Sequence, residues 1–151
     1  MSSILAFDFG TKNIGIAAGN SSTQLADELR PIKAKEGIPN WQEIEQLLNE
    51  WQTKTVVVGL PFNMDGSEME MTRRARKFGN RLHARFACEL HFFDERLTTK
   101  EAKVIAEERL QANSNPGHMK RRKTPKESPV DSIAARLILE SWWRQLTPPE
   151  E

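Results

Sequence analysis

The sequence predicts an α/β domain that opens with three strands and then alternates helices with two further strands. Three observations predict it: short apolar runs closed by glycine turns at the start, a buried β-branched run in the middle, and amphipathic segments around that run. The chain of 151 residues is long enough to bury one hydrophobic core. Because no repeat or change in composition marks a boundary, we expect one domain over residues 1–151.

The first three strands are predicted from short apolar runs and from the turn residues that close them. Residues 4–9 read ILAFDF and end at a Gly-Thr pair, and residues 14–18 read IGIAA and end at a Gly-Asn pair. Such pairs favour tight turns, so they separate strands rather than continue them. A third strand is expected within residues 23–32.

Two helices and the strand between them are predicted from caps and hydrophobic spacing. Asn40 followed by Glu43 forms a capping-box pattern ahead of apolar residues at helical intervals. Residues 55–60 (TVVVGL) are apolar and β-branched, which is typical of a strand covered on both faces. Ser67 followed by Glu70 is a second capping-box pattern, and it predicts the start of the second helix.

The rest of the chain predicts one more strand, two helices and a long polar loop. Residues 88–93 form the strand, and a helix over residues 98–111 follows it. Residues 112–129 contain three prolines and almost no apolar side chains, which predicts a mobile basic loop. The last helix is expected to begin at Ser128, and residues 147–151 form a short polar tail.

Composition excludes several classes of protein. Charged residues make up 28% and hydrophobic residues 38% of the chain, as in soluble globular domains. No apolar run approaches the roughly 20 residues of a membrane span, and the start lacks the pattern of a signal peptide, so we expect a cytoplasmic protein. The single cysteine, Cys88, excludes an intrachain disulfide and a multi-cysteine zinc site.

Three acidic residues are candidates for chemistry. Asp8 interrupts an apolar strand, Glu95 follows another strand, and Asp131 falls in the first turn of the last helix. Each also has an ordinary structural explanation. Asp8 can cap the adjacent turn, Glu95 can form a surface ion pair with Arg96, and Asp131 can interact favourably with the helix dipole.

The joint placement of these acids favours a metal site. The carboxyl ends of neighbouring strands carry functional residues in α/β domains, and Asp8 and Glu95 occupy such ends, which a helix start bearing Asp131 can reach. Three converging carboxylates repel one another unless a cation neutralises them, and oxygen ligands favour Mg²⁺ or Mn²⁺. A two-metal site of this kind hydrolyses phosphodiesters by activating a water molecule and stabilising the leaving oxygen.

Two basic segments predict a nucleic-acid surface. Residues 73–85 carry six cations and no acid, and Arg73, Lys77 and Arg81 fall at intervals of four on one helical stripe. With residues 120–126 they would form two walls for a phosphate backbone, although a solvated helix face is the ordinary alternative. The residues expected to contact nucleic acid are Lys12, Arg73, Arg74, Lys77, Arg81, Arg96, Lys120, Arg121, Arg122 and Lys123.

Five motifs resemble those of the YqgF/RuvX family. They read FDFGTKNIGIAAG near the start, GLPFNMDGSE from residue 59, TRRARKFGNRLHARF from residue 72, DERLTTKEA from residue 94 and VDSIAARLILESW from residue 130. The resemblance implies an RNase H-like fold, with a central mixed five-stranded sheet flanked by helices. It also implies a metal site formed by Asp8, Glu95 and Asp131.

The expected function is that of a metal-dependent endonuclease acting on structured RNA, with pre-16S rRNA as the substrate that the resemblance implies. Cleavage of Holliday junctions or other branched DNA is one alternative, and a non-catalytic RNA or ribosome-associated binding factor is another. Converging carboxylates argue against a pure binder because they repel a polyanion. We expect Mg²⁺ or Mn²⁺ as cofactor, nucleic acid and ribosomal particles as partners, no membrane association, and a monomer or weak homodimer.

Overall fold

The computed structural model describes residues 3–98 and 132–146. Its strands are β1 (Ser3–Asp8), β2 (Asn13–Asn20), β3 (Leu25–Lys35), β4 (Ile38–Pro39), β5 (Thr53–Leu60) and β6 (Glu89–Asp94). Its helices are α1 (Trp41–Glu50), α2 (Glu70–Phe86) and α3 (Ile133–Leu146), and a 3₁₀ turn covers Glu95–Leu97. The described helices include none that is long and apolar enough to cross a membrane.

The strands form one mixed sheet in the order β4-β3-β2-β1-β5-β6. The strands from β1 to β4 pair antiparallel, whereas β5 is parallel to both β1 and β6. The pairings of Phe7 with Val58 and of Leu60 with Asp94 fix the register. The carboxyl ends of β1, β5 and β6 therefore meet at one side of the sheet, which we call the carboxyl edge.

The mixed α/β sheet is confirmed, but the predicted count of five strands is wrong because β4 adds a sixth. Strand β4 contains only Ile38 and Pro39, which pair with Lys35 and Ala34 of β3. Two residues are too few to produce a periodic pattern in the sequence, so this strand escapes prediction. The strand predicted within residues 23–32 is β3, which continues three residues further to Lys35.

Alternating side chains of the sheet build two hydrophobic layers. Leu5 and Phe7 of β1 point toward α1 and α2, where they pack in one core cluster with residues such as Phe78. Ile4 and Ala6 point to the opposite face and pack against α3. The sheet is therefore covered by helices on both faces, as the apolar run of β5 predicts.

The two predicted helix caps have different outcomes. Asn40 precedes α1, and its side-chain oxygen accepts a hydrogen bond from the Gln42 backbone N–H at 3.0 Å. Ser67 does not cap α2, because its hydroxyl donates to Asp65 at 2.6 Å within the preceding loop. Helix α2 begins at Glu70, and the Thr72 hydroxyl accepts from the backbone N–H just before it.

Several predicted segments lie outside the described residues. They are residues 99–111 of the predicted helix, the loop at 112–129, the predicted helix start at Ser128 and the tail at 147–151. The last helix is described from Ile133 onward.

Candidate active site

Asp8 and Glu95 both lie at the carboxyl edge, on the same face of the sheet. Asp8 is the last residue of β1 and shares the face of Ala6, which packs against α3. Glu95 follows the last residue of β6, two positions after Phe93, which packs in the same layer. Only β5 separates the two strands, and neighbouring strands lie about 4.8 Å apart.

Gly59 of β5 provides the space between these two acids. A Cβ atom built on Gly59 would lie 2.6 Å from the Glu95 carboxylate oxygen Oε2 and would also clash with Ile138 of α3. The Glu95 carboxylate therefore lies directly over Gly59. Phe7 of β1 pairs with Val58 of the parallel strand β5. The residues that follow them, Asp8 and Gly59, therefore lie beside each other on adjacent strands. A side chain at position 59 would displace the Glu95 carboxylate or Ile138.

Sequence reasoning missed Gly59. The available signal was a glycine inside an otherwise β-branched run, which often marks a close approach of another group to the backbone.

Ser132 fixes the start of α3 beside the end of β1. The β2–β3 register shifts between Ile14 and Ile16, and the fully buried Ser132 hydroxyl fills the gap. It accepts a hydrogen bond from the Ile16 N–H at 3.0 Å and donates to the Leu29 carbonyl at 2.6 Å. Since Ile16 pairs with Phe7, this bridge lies level with the end of β1.

Arg96 holds the loop after β5 against the end of β6. Its guanidinium donates to both carboxylate oxygens of Asp94, at 3.1 Å from Nε and 2.7 Å from Nη2, and these bonds lower the pKa of Asp94. It also lies over the Phe62 ring, 5.3 Å from the centroid, and beside Gly66. Arg96, predicted to contact nucleic acid, is therefore ion-paired with the residue that precedes Glu95.

The other predicted cations are exposed on two elements near the carboxyl edge. Lys12 lies in the turn after β1, and its carbonyl accepts from the Ala34 N–H at 2.8 Å. The first turn of α2 is tied to the same edge because the Thr72 hydroxyl donates to the Pro61 carbonyl. The predicted contact residues of α2, Arg73, Arg74, Lys77 and Arg81, are all exposed, and Arg74 pairs with Glu70 at 3.2 Å. Lys120, Arg121, Arg122 and Lys123 lie outside the described residues.

The described part of the site fits a hard divalent cation. The Glu95 carboxylate lies over Gly59, Asp8 lies on the adjacent strand, and carboxylate oxygens are the donors that Mg²⁺ and Mn²⁺ prefer. Residues 3–98 and 132–146 contain no cluster of three or more His, Cys, Asp or Glu side chains that could hold a metal ion. The third predicted ligand, Asp131, lies outside these residues.

Comparison with known proteins assigns the family. Residues 2–145 match the model of RuvX, described as a Holliday junction resolvase. The chain belongs to the RuvX family. RuvX relatives from Saccharophagus degradans and Aeromonas salmonicida are 60% and 51% identical, over 96% and 95% of this chain and 95% of each relative. Both are named "Putative pre-16S rRNA nuclease". This RuvX protein is therefore a hydrolase of the nuclease class, acting on ester bonds.

Solved structures establish the fold of this RuvX chain. T. thermophilus RuvC, in complex with a Holliday junction substrate, aligns with a TM-score of 0.52 at 16% identity, over 96% of both chains. The yeast mitochondrial Holliday junction resolvase Ydc2 aligns with a TM-score of 0.54 at 11% identity, over 95% of this chain and 78% of its own. The RNase H-like fold implied by the sequence motifs is confirmed.

Proposed function

We propose that this RuvX protein is a metal-dependent endonuclease that cuts structured RNA and processes the 5′ end of pre-16S rRNA during ribosome biogenesis. The placement of Asp8 and Glu95 at the carboxyl edge, with the Glu95 carboxylate over Gly59 and Asp8 on the adjacent strand, carries the proposal. The names of relatives that are 51–60% identical support pre-16S rRNA as the substrate. This substrate implies a cytoplasmic protein that acts on ribosomal particles. In this proposal the chain functions as one domain.

Asp8, Glu95 and Asp131 would hold Mg²⁺ or Mn²⁺. Asp131 directly precedes Ser132, the residue that is hydrogen-bonded between β2 and β3 beside the end of β1. When bound, the cations supply an activated water nucleophile and stabilise the leaving oxygen of the phosphodiester. Ligand sets made only of carboxylates favour these hard cations over zinc.

The protein's own side chains orient the carboxylates and bind the substrate. The Glu95 carboxylate packs over Gly59 beside Ile138, which limits its movement and preorganises it for the reaction. Lys12 and the exposed cations of α2 neutralise phosphates on either side of the cleaved bond. Because these contacts are made with phosphates, we expect affinity to depend strongly on salt. They do not distinguish one base from another.

Single-turnover cleavage tests this function. The wild-type protein should cut a pre-16S leader RNA in Mg²⁺ or Mn²⁺, and should not cut it in EDTA. Asp8→Asn should abolish cleavage while the protein stays folded, because it removes one anionic donor without changing the shape of the side chain. The matched control is Asp27→Asn, the same change at an exposed position of β3, which should cut normally.

Three outcomes would contradict the proposal. Normal cleavage by Asp8→Asn would show that the site is wrong. Preferential cleavage of a four-way DNA junction would identify a branched-DNA resolvase. Binding of both substrates without cleavage of either would identify a binding factor.

A further inference from the structure

A groove of about 230 Å³ opens at Phe9, the residue after Asp8, on the sheet face opposite α3. Its floor is aromatic: the Phe78 ring lies 5.4 Å from that of half-buried Phe9 and 5.8 Å from that of half-buried Trp41, centroid to centroid. Ile38 of β4 forms part of the rim, with 54% of its surface exposed. Phe78 is buried beneath this floor, and Arg85 lies over the Trp41 ring at 4.5 Å from its centroid, so Phe9 and the exposed part of Trp41 supply the apolar surface for a flat ligand.

One wall of the groove is cationic. Arg74, Lys77 and Arg81 line it at intervals of three and four residues, which places them on one face of α2. Among the described residues, the lining includes one acid, Glu36. An apolar floor below a row of cations is complementary to a nucleotide, which combines a base with a phosphate. A duplex keeps its bases stacked inside, so only an unpaired nucleotide can place its base against such a floor.

The groove begins at the residue after Asp8 but lies on the opposite face of the sheet from the two carboxylates. Phe9 directly follows Asp8, and the Cα atoms of adjacent residues are about 3.8 Å apart, with side chains on opposite faces of an extended chain. The opposite wall is braced by the turn after β1, because the Gly37 N–H donates to the Thr11 carbonyl at 2.9 Å. A nucleic-acid strand at Asp8 can therefore pass around the end of β1 into the groove.

We propose that this groove binds an unpaired nucleotide of the substrate next to the cleaved bond. The base contacts Phe9 and Trp41, which pack on the buried Phe78 ring, and the phosphates contact the cations of α2. The inference rests on the proposed nuclease function, since its occupant belongs to a nucleic-acid substrate. It adds a preference for junctions between paired and single-stranded regions, which phosphate contacts alone do not provide.

Equilibrium binding in EDTA tests the groove without requiring cleavage. The probes are a blunt RNA hairpin, the same hairpin with a short single-stranded extension, and the hairpin with an abasic extension. The wild-type protein should bind the ordinary extension roughly tenfold more tightly than the blunt hairpin, as expected for one base held against aromatic side chains. The abasic extension should lose most of this preference.

Two matched variants locate the preference in the groove. Ile38→Glu places an acid at the exposed rim and should reduce the ratio of the two affinities to about one, because a carboxylate repels the phosphates. Leu25→Glu makes the same change at a position of β3 that is 71% exposed and remote from the groove, and it should keep the ratio.

The possible results separate this proposal from the nuclease proposal. Equal wild-type affinity for the blunt and extended hairpins would overturn nucleotide binding by the groove. Equal affinity for the ordinary and abasic extensions would do the same, and so would an unchanged affinity ratio in Ile38→Glu. A preserved preference in a protein that cuts neither RNA nor DNA would support the groove and overturn the nuclease. Absence of binding to all three probes would overturn the RNA substrate itself.

Discussion

At the scale of single residues, Gly59 leaves the space that the Glu95 carboxylate occupies beside the strand that carries Asp8. Its hydrogen atom occupies the position where any other residue would place a carbon 2.6 Å from the Glu95 carboxylate. The glycine is required here by space rather than by backbone conformation. Its role depends on a residue that follows the next strand, so it belongs to the tertiary structure and not to β5 alone.

Gly59→Ala is therefore expected to damage the site more than the fold. The added methyl group must displace Glu95 or Ile138, and a misplacement of about 1 Å can reduce a rate by roughly 10²-fold. Overpacking should cost about 1–3 kcal/mol of stability. Single-turnover cleavage and denaturant unfolding measure the two effects separately.

Gly79→Ala is the matched control. Its new Cβ atom would lie 2.6 Å from the Phe92 ring, where α2 packs on β6, and therefore overpacks the protein away from the carboxylates. This variant should lose stability and retain cleavage. Equal losses of cleavage in the two variants would show that Gly59 acts only through stability.

At the scale of elements, the hydroxyl of Ser132 docks the start of α3 into the sheet. Ser132→Ala removes the group that bridges the Ile16 N–H and the Leu29 carbonyl in a buried position. Leaving such groups unpaired costs roughly 1–3 kcal/mol. We therefore expect a lower denaturation midpoint together with weaker cleavage, because the residue before Ser132 is the proposed ligand Asp131.

Ser141→Ala provides the control on the same helix. The Ser141 hydroxyl is buried and has no hydrogen-bond partner among the described residues. Removing it should leave stability unchanged or increase it. A loss of stability as large as that of Ser132→Ala would contradict the proposed docking role.

The helical stripe of Arg73, Lys77 and Arg81 on α2 predicts how nucleic-acid affinity depends on salt concentration. Lys77 and Arg81 are both exposed, so the double alanine variant should bind nucleic acid more weakly. It should also reduce the slope of log affinity against log salt by up to about two phosphate contacts. Metal affinity should not change, since neither side chain is a metal ligand.

A double variant at the opposite edge of the sheet controls for net charge. Lys54→Ala with Arg144→Ala removes the same charge at exposed positions near the amino end of β5 and the carboxyl end of α3. This control should keep the wild-type slope. If the Lys77 and Arg81 variant also keeps it, the stripe is only a solvated helix face.

At the scale of the whole molecule, the local patterns predicted what depends on local sequence. Apolar runs and turn residues located the described strands apart from β4, and the order of elements predicted an α/β domain, whereas the mixed sheet was implied by the resemblance of the motifs to a known family. Because Asp8 and Glu95 were identified at strand ends, the parallel pairing through β5 was enough to bring them to one edge. Their role as metal ligands stays a prediction.

The features that sequence reasoning missed depend either on contacts distant in sequence or on a choice between several nearby partners. Ser132 bonds to groups 116 and 103 residues away, and no local pattern marks such a partner. The spacing of Ser67 and Glu70 suggested a helix cap, but the Ser67 hydroxyl donates to Asp65 within the loop. The Thr72 hydroxyl instead accepts from the backbone N–H that precedes α2. The ion pair of Arg96 with Asp94 likewise competes with its predicted phosphate contact.

The central claim is that the carboxylates of Asp8 and Glu95 at the carboxyl edge form a divalent-metal site, and calorimetric titration with Mn²⁺ tests it most directly. The wild-type protein and the Asp27→Asn control should bind Mn²⁺ with the same affinity. Asp8→Asn should bind at least about tenfold more weakly, because removing a ligand should cost no less than disturbing its outer-shell partners. Equal Mn²⁺ affinity in the wild type and Asp8→Asn would contradict the claim.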